Sequence, residues 1–271
     1  MRWPDLTGGP DAARYIAAAM HQQVPRPFHL RWLLPRLCGT SVARWWITWG
    51  MSWLVAAVGY IGWQWSHGWQ VTLTGCVLLL GLPGILGPSG VIPVGVDLPA
   101  LALTLCGCWL WQWWPVGLVL IVLAATVKET SPVFAALWLW SPLPLLALLV
   151  VVARAAVTDT GPDPLGWEFD RIAAHPITTS LQHHRGQWRD GWIMVAPWGV
   201  CLLALRAPSW QVVVTLAVAY GLLLVATDTV RLYQYAAGPV MAAAAAPLIP
   251  PAWAPLILAA HVVWWRTPSR V

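Results

Sequence analysis

The stretch "VKETSPVFAALWLWSPLP", Val127–Pro144, decides how the rest of the chain is threaded. It opens on the only lysine of the sequence, Lys128, and on one of its two glutamates, Glu129. A short apolar run follows and stops where tryptophans meet Ser141-Pro142-Leu143-Pro144. Proline interrupts a helix, and indole rings favour a membrane interface. The segment 132–156 therefore reads as a broken pair of short helices, out and back. Read as one crossing, it would move every later segment to the other side.

Working outward, 59% of the 271 residues are hydrophobic and 9% are charged, against about 25% charged in soluble domains. Such a chain cannot cover a globular surface in water. Its long, repeated apolar runs read as a polytopic membrane protein, and its twenty-three tryptophans fit membrane interfaces. The net charge of +5 comes from fourteen arginines and one lysine. In an apolar chain this points to anionic headgroups or phosphate rather than nucleic acid, for which no aromatic–basic motif occurs. The five cysteines, Cys38, Cys76, Cys106, Cys108 and Cys201, read as small buried residues rather than metal ligands or disulfides. The N-terminus has no uninterrupted apolar core of a signal peptide. It reads as interfacial, with a short helix from Asp11 to Met20 behind Gly8-Gly9-Pro10.

Apolar segments fall at 45–65, 69–87, 98–112, 115–127, 132–140, 144–156, 191–206, 209–227, 235–249 and 252–265. A full crossing takes ~20 residues, so the shorter ones are tilted, half-spanning or packed inside the bundle. Five turns rich in Trp or Pro, at 62–69, 109–115, 138–144, 206–210 and 249–255, are placed on one face. With the broken pair at 132–156, only Arg206 of the 25 charged residues falls on that face. The expected fold is all-α, a polytopic transmembrane bundle of about 8–10 membrane helices including short or broken ones. Its parts are an interfacial segment 1–44, a first helix block 45–156, an extramembrane loop 157–190 and a second block 191–271.

The polar positions carry two readings each. Asp11 and Tyr15 share one face of the N-terminal helix, as a solvated helix start or as part of a site. Arg31, in "PFHLRWLLP", either snorkels at the interface or holds a phosphate with its fork of donors. Asp97 opens a helix as an N-cap, with Pro99 in the first turn, and a site role is compatible. Lys128 and Glu129 lie at a helix end, where an ionic group costs less than at the bilayer centre. Asp228 and Arg231, three apart, form a local salt bridge or an oriented arginine aimed at an anion. The 157–190 loop carries Glu168, Asp170, His175, His183 and His184 without a metal-ligand spacing, so no metal is expected and no cofactor is assigned. P-loop, G-x-S-x-G and G-x-G-x-x-G fingerprints are missing, which removes support for soluble-type ATPase, hydrolase and dinucleotide readings.

Taken in order, Asp11 and Tyr15, then "PFHLRWLLP", Asp97, the pair Lys128–Glu129 and "DTVRLYQYAAGPV" resemble bacterial multi-pass membrane glycosyltransferases of the C-type (GT-C) superfold. The family normally has a transmembrane helix ahead of the acidic-Tyr segment and is often longer. The resemblance therefore implies a reduced member or a start upstream. It implies transfer of a sugar from a polyprenyl-phosphate carrier in membrane lipid to an acceptor hydroxyl, with a carboxylate as general base and cations stabilising the departing phosphate. By that resemblance Asp11 is the base, and Asp97 and Glu129 complete the candidate catalytic set. Tyr15, Arg31, Lys128, Asp228 and Arg231 would bind the lipid phosphate or substrate, with Glu129 holding Lys128 in place. The family places this charged face outside a bacterial-type plasma membrane, whereas the positive-inside rule places it inside. The competing expectation is a non-enzymatic transporter, flippase or assembly subunit with an anion-binding cavity. A purely structural subunit is the third.

Overall fold

The computed structural model describes residues 10–25, 27–86, 94–161, 175, 177–179, 181–182, 192–224, 230–253, 255–257 and 259. Every regular element among them is helical. The α-helices are α1 Pro10–Ala19, α2 Leu33–Cys38, α3 Val42–Gln64, α4 Trp69–Leu80, α5 Asp97–Trp109 and α6 Trp114–Val127. They continue with α7 Ser131–Leu139, α8 Leu148–Val157, α9 Trp192–Val195, α10 Trp210–Gly221 and α11 Val230–Ala245. Helical segments fall close to most of the apolar runs expected from sequence. The chain divides into two units, one of residues 1–63 and 89–169, the other of 64–88 and 170–271.

In the first unit, Asp97–Val127 is the one described run long and apolar enough to cross a membrane by length and composition. That run is folded back on itself. Trp113 has φ −109° and ψ 70°, outside the helical region, and Pro115 then sits in the first turn of α6. A Cβ added at Gly117 would lie 2.7 Å from the carbonyl oxygen of Gly107. Residues ten apart on one continuous helix would be ~15 Å apart, so α5 and α6 form a hairpin with its backbones in close approach. Each arm is ~20 Å long. Helix α3, with 23 residues, is ~35 Å long and carries one charge, Arg44, near its start.

The break at 140 is also present. Trp140 caps α7 in the left-handed region at φ 51°, and a 3-10 segment, Leu143–Ala147, leads into α8. The broken pair expected at 132–156 is thus observed as α7 and the run 143–157. Large apolar side chains remain exposed along several helices of this unit. They form stripes at Ile47, Met51, Leu54 and Val58 of α3, at Val116, Val119 and Leu123 of α6, and at Leu149 and Val152 of α8.

In the second unit, α11 packs against α4 and α10. Gln234 of α11 is fully buried; its amide donates to the Pro197 carbonyl at 2.7 Å, and its oxygen accepts from the Gly84 N–H. Trp198 donates its indole N–H to the Tyr220 hydroxyl at 2.8 Å, and Tyr220 stacks on Tyr233.

Candidate functional site

The hairpin builds the site. Its arms have 13 and 14 residues, so the start of α5 and the end of α6 finish at the same level. Asp97 and Lys128, 31 residues apart, therefore meet, and the Lys128 ammonium donates to the Asp97 carboxylate. Lys128 is extended, at φ −148° and ψ 118°. Successive side chains on extended backbone point to opposite sides, so Glu129 faces away from the lysine's partner.

Glu129 instead receives Arg31. The guanidinium donates Nε–H to Oε2 at 2.8 Å and Nη2–H to Oε1 at 2.7 Å. This is the paired fork that arginine makes with a carboxylate. The third nitrogen, Nη1, donates to the Tyr15 hydroxyl at 3.0 Å. Tyr15 is buried because α1 turns Ala12, Tyr15 and Ile16 inward at helical spacing, against Phe28 and Trp45. Arg31 follows the 3-10 turn Phe28–Leu30, which its own N–H closes onto the Phe28 carbonyl. The guanidinium groups of Arg14 and Arg31 both stand over the Phe28 ring, at 4.8 and 5.3 Å.

The electrostatics follow from this packing. Burial alone would raise the Glu129 carboxyl, but the Arg31 charge and its hydrogen bonds outweigh that and hold it below the usual value. Burial opposes the charge on Arg31, and Glu129 with Tyr15 more than restores it, leaving it raised. Burial pushes the Tyr15 phenol up, with Asp11 and Asp97 adding to the shift and Arg31 opposing it. Tyr15 thus stays protonated at neutral pH and serves as a hydroxyl, not as a base.

Several expectations are corrected. Glu129 does not hold Lys128; the two neighbours pair with different partners. Arg31 does not snorkel: its side chain is 13% exposed, and three of its five N–H groups are engaged within the fold, which leaves two that no described residue engages. Asp97 is no N-cap, since Val96 occupies that position without a side-chain cap and Asp97 is the first helical residue. Asp11 turns to Arg14, at 2.9 Å, rather than joining Tyr15. Its side chain remains 34% exposed, the most open carboxylate of the described ion pairs.

The structure thus brings Tyr15, Arg31, Asp97, Lys128 and Glu129 together, with Asp11 on the same helix as Tyr15. Arg231, partly buried, belongs to the second unit, and Asp228 lies outside the described residues. Most of the 157–190 loop, including Glu168, Asp170, His183 and His184, also lies outside them. Sequence reasoning missed Arg14 and Phe28. Arg14 stands three residues from Asp11 on one helix, a readable spacing, whereas the Phe28 contact needs the tertiary fold. Among the described residues no group of three His, Cys, Asp or Glu side chains is placed to hold a metal ion. Comparison with protein-family models, curated proteins and solved structures finds no match to this chain.

Proposed function

We propose that the chain is an integral membrane protein with several membrane helices, and that its buried ionic cluster serves glycosyl transfer from a polyprenyl-phosphate carrier to an acceptor hydroxyl. The observation that carries the reading is the convergence of Tyr15, Arg31 and Glu129, with Asp97 and Lys128, at one end of an apolar hairpin. These residues come from four separate stretches, the ones the resemblance to C-type glycosyltransferases picks out. Support for the membrane comes from the exposed apolar stripes of α3, α6 and α8, which water would disfavour and acyl chains would cover. Helix α3 is long enough to span ~30 Å of hydrocarbon. Five of its residues are tryptophans, which favour the interface although many hydropathy scales score them as polar.

In this reading the acceptor oxygen attacks the anomeric carbon of the donor. The bond from that carbon to the phosphate oxygen breaks, and polyprenyl phosphate leaves with the electron pair. Asp11, the least buried acid of the set, takes the acceptor proton. Arg31 keeps two N–H groups without a bond among the described residues and offers them to the leaving phosphate. Glu129 and Tyr15 fix the guanidinium, and Asp97 fixes Lys128. The charged face is then the outer face of the membrane.

A second reading is favoured by one observation: Arg31 and Lys128 are each already matched by a carboxylate. A non-enzymatic transporter, flippase or assembly subunit would keep these pairs as a structural lock. The purified protein in nanodiscs, given a panel of polyprenyl-phosphate sugars and methyl glycoside acceptors, separates the two. Transfer that is lost in Asp11→Asn, with unchanged melting, supports the enzyme. Transfer that survives Asp11→Asn in full removes Asp11 as base, and a wild type that transfers nothing from any donor favours the subunit.

A further inference from the structure

A cleft of about 490 Å³ opens in the first unit beside the ionic cluster, lined by residues to which the transfer reading gives no task. One wall is the 3-10 turn that leads into Arg31, with Pro27, His29 and Leu30. The other is the chain leaving α8, with Thr158, Asp159 and Thr160. That second wall is fixed in place. The Thr158 hydroxyl donates to the Arg154 carbonyl at 2.8 Å, and the Gly161 N–H donates to the Val24 carbonyl at 3.3 Å. A Cβ at Gly161 would stand 2.7 Å from that of Gln23, so only glycine allows this approach.

The lining mixes two hydroxyls, a carboxylate and an imidazole with apolar surface from Pro27 and Leu30. Sugars present the matching surface: hydroxyls that donate and accept around the rim, and C–H faces that pack on apolar groups. An anion fits poorly. Asp159 is the one lining residue with a full formal charge at neutral pH; Arg154, in the last turn of α8, is not among the lining residues. We infer that this cleft is a binding site for a neutral sugar ring, with Asp159 and Thr160 holding its hydroxyls and the phosphate excluded to the Arg31 side. The choice of a sugar among hydroxylated ligands rests on the glycosyltransferase reading.

The test uses the full chain in nanodiscs and saturation-transfer NMR with methyl hexosides and methyl pentosides, with inorganic phosphate as competitor. At least one glycoside is expected to bind. Asp159→Asn, at an exposed position, should weaken it about tenfold through loss of a charge-assisted hydrogen bond. Thr160→Val should weaken it as well, Arg36→Gln on exposed surface should not, and phosphate should not compete. Absence of glycoside binding, unchanged affinity in both Asp159→Asn and Thr160→Val, or displacement by phosphate overturns the inference. Transfer assays in parallel keep the two readings apart. Wild-type KM values in Asp159→Asn remove the cleft and leave the enzyme. Glycoside binding without any transfer leaves the cleft and removes the enzyme.

Discussion

Replacing Glu129 by alanine tests whether the Arg31 fork holds the N-terminal segment onto the hairpin. Arg31 and Glu129 are 13% and 19% exposed, which places them with buried rather than surface pairs. Breaking a buried pair from one side costs about 3–5 kcal/mol, because the other charge is left uncompensated. A surface pair contributes ~0–1 kcal/mol. Since both side chains retain some solvent, the expected loss lies at the low end, about 3 kcal/mol. At ~2–4 °C per kcal/mol for a domain of this size, the melting temperature should fall by about 6–12 °C. Replacing both partners together, Arg31→Met with Glu129→Leu, removes the buried charges as well as their attraction. That pair should return to within ~1–2 kcal/mol of wild type, the remainder being the donor lost by Tyr15. The assay is thermal or chemical unfolding in detergent, run as a double-mutant cycle. Single replacements that each cost under ~1 kcal/mol and add independently would refute the argument, and would mean that water bridges the pair.

The low Glu129 carboxyl sets a pH dependence. Its folded value lies below its unfolded one, so its stabilisation is complete above the ordinary carboxylate range and is lost as pH falls through the folded value. Melting temperature followed from pH 8 to pH 3 should drop at the acid end, and less steeply in Glu129→Gln. Exchanging Asp97 and Lys128 keeps the pair but puts a cation at the N-terminus of α5 and an anion at the C-terminus of α6. Unfolding should show only partial recovery relative to Asp97→Asn, because both charges then oppose the helix dipoles. Gly117→Ala forces a Cβ against the Gly107 carbonyl and should destabilise the hairpin by about 1–3 kcal/mol, measured by unfolding. Gln234→Leu leaves a buried N–H and a buried carbonyl without their partner, and should cost about 1–3 kcal/mol for each in the same measurement.

Helix positions were legible because their signals are local. Apolar runs bounded by Trp and Pro fix where helices stop, so α3, α5, α6, α7 and α8 fall near the stretches read from the chain. The same signals gave the break at Trp140, since Pro142 and Pro144 act through their own backbone. The placement of Asp11 and Tyr15 one turn apart on one helix, and the closeness of Lys128 and Glu129 to a helix end, are likewise short-range. Partner choice was not legible. Residues adjacent in sequence suggest a pair, but an extended backbone at Lys128 sends the two side chains apart. Asp97 reaches Lys128 only because two arms of nearly equal length fold back at Trp113. Arg31 reaches Glu129 across 98 residues only because Tyr15, Phe28 and Trp45 pack the N-terminal segment beside that hairpin end. Charge identity and helix ends are properties of the chain; which opposite charges meet depends on distances that only the packed helices create.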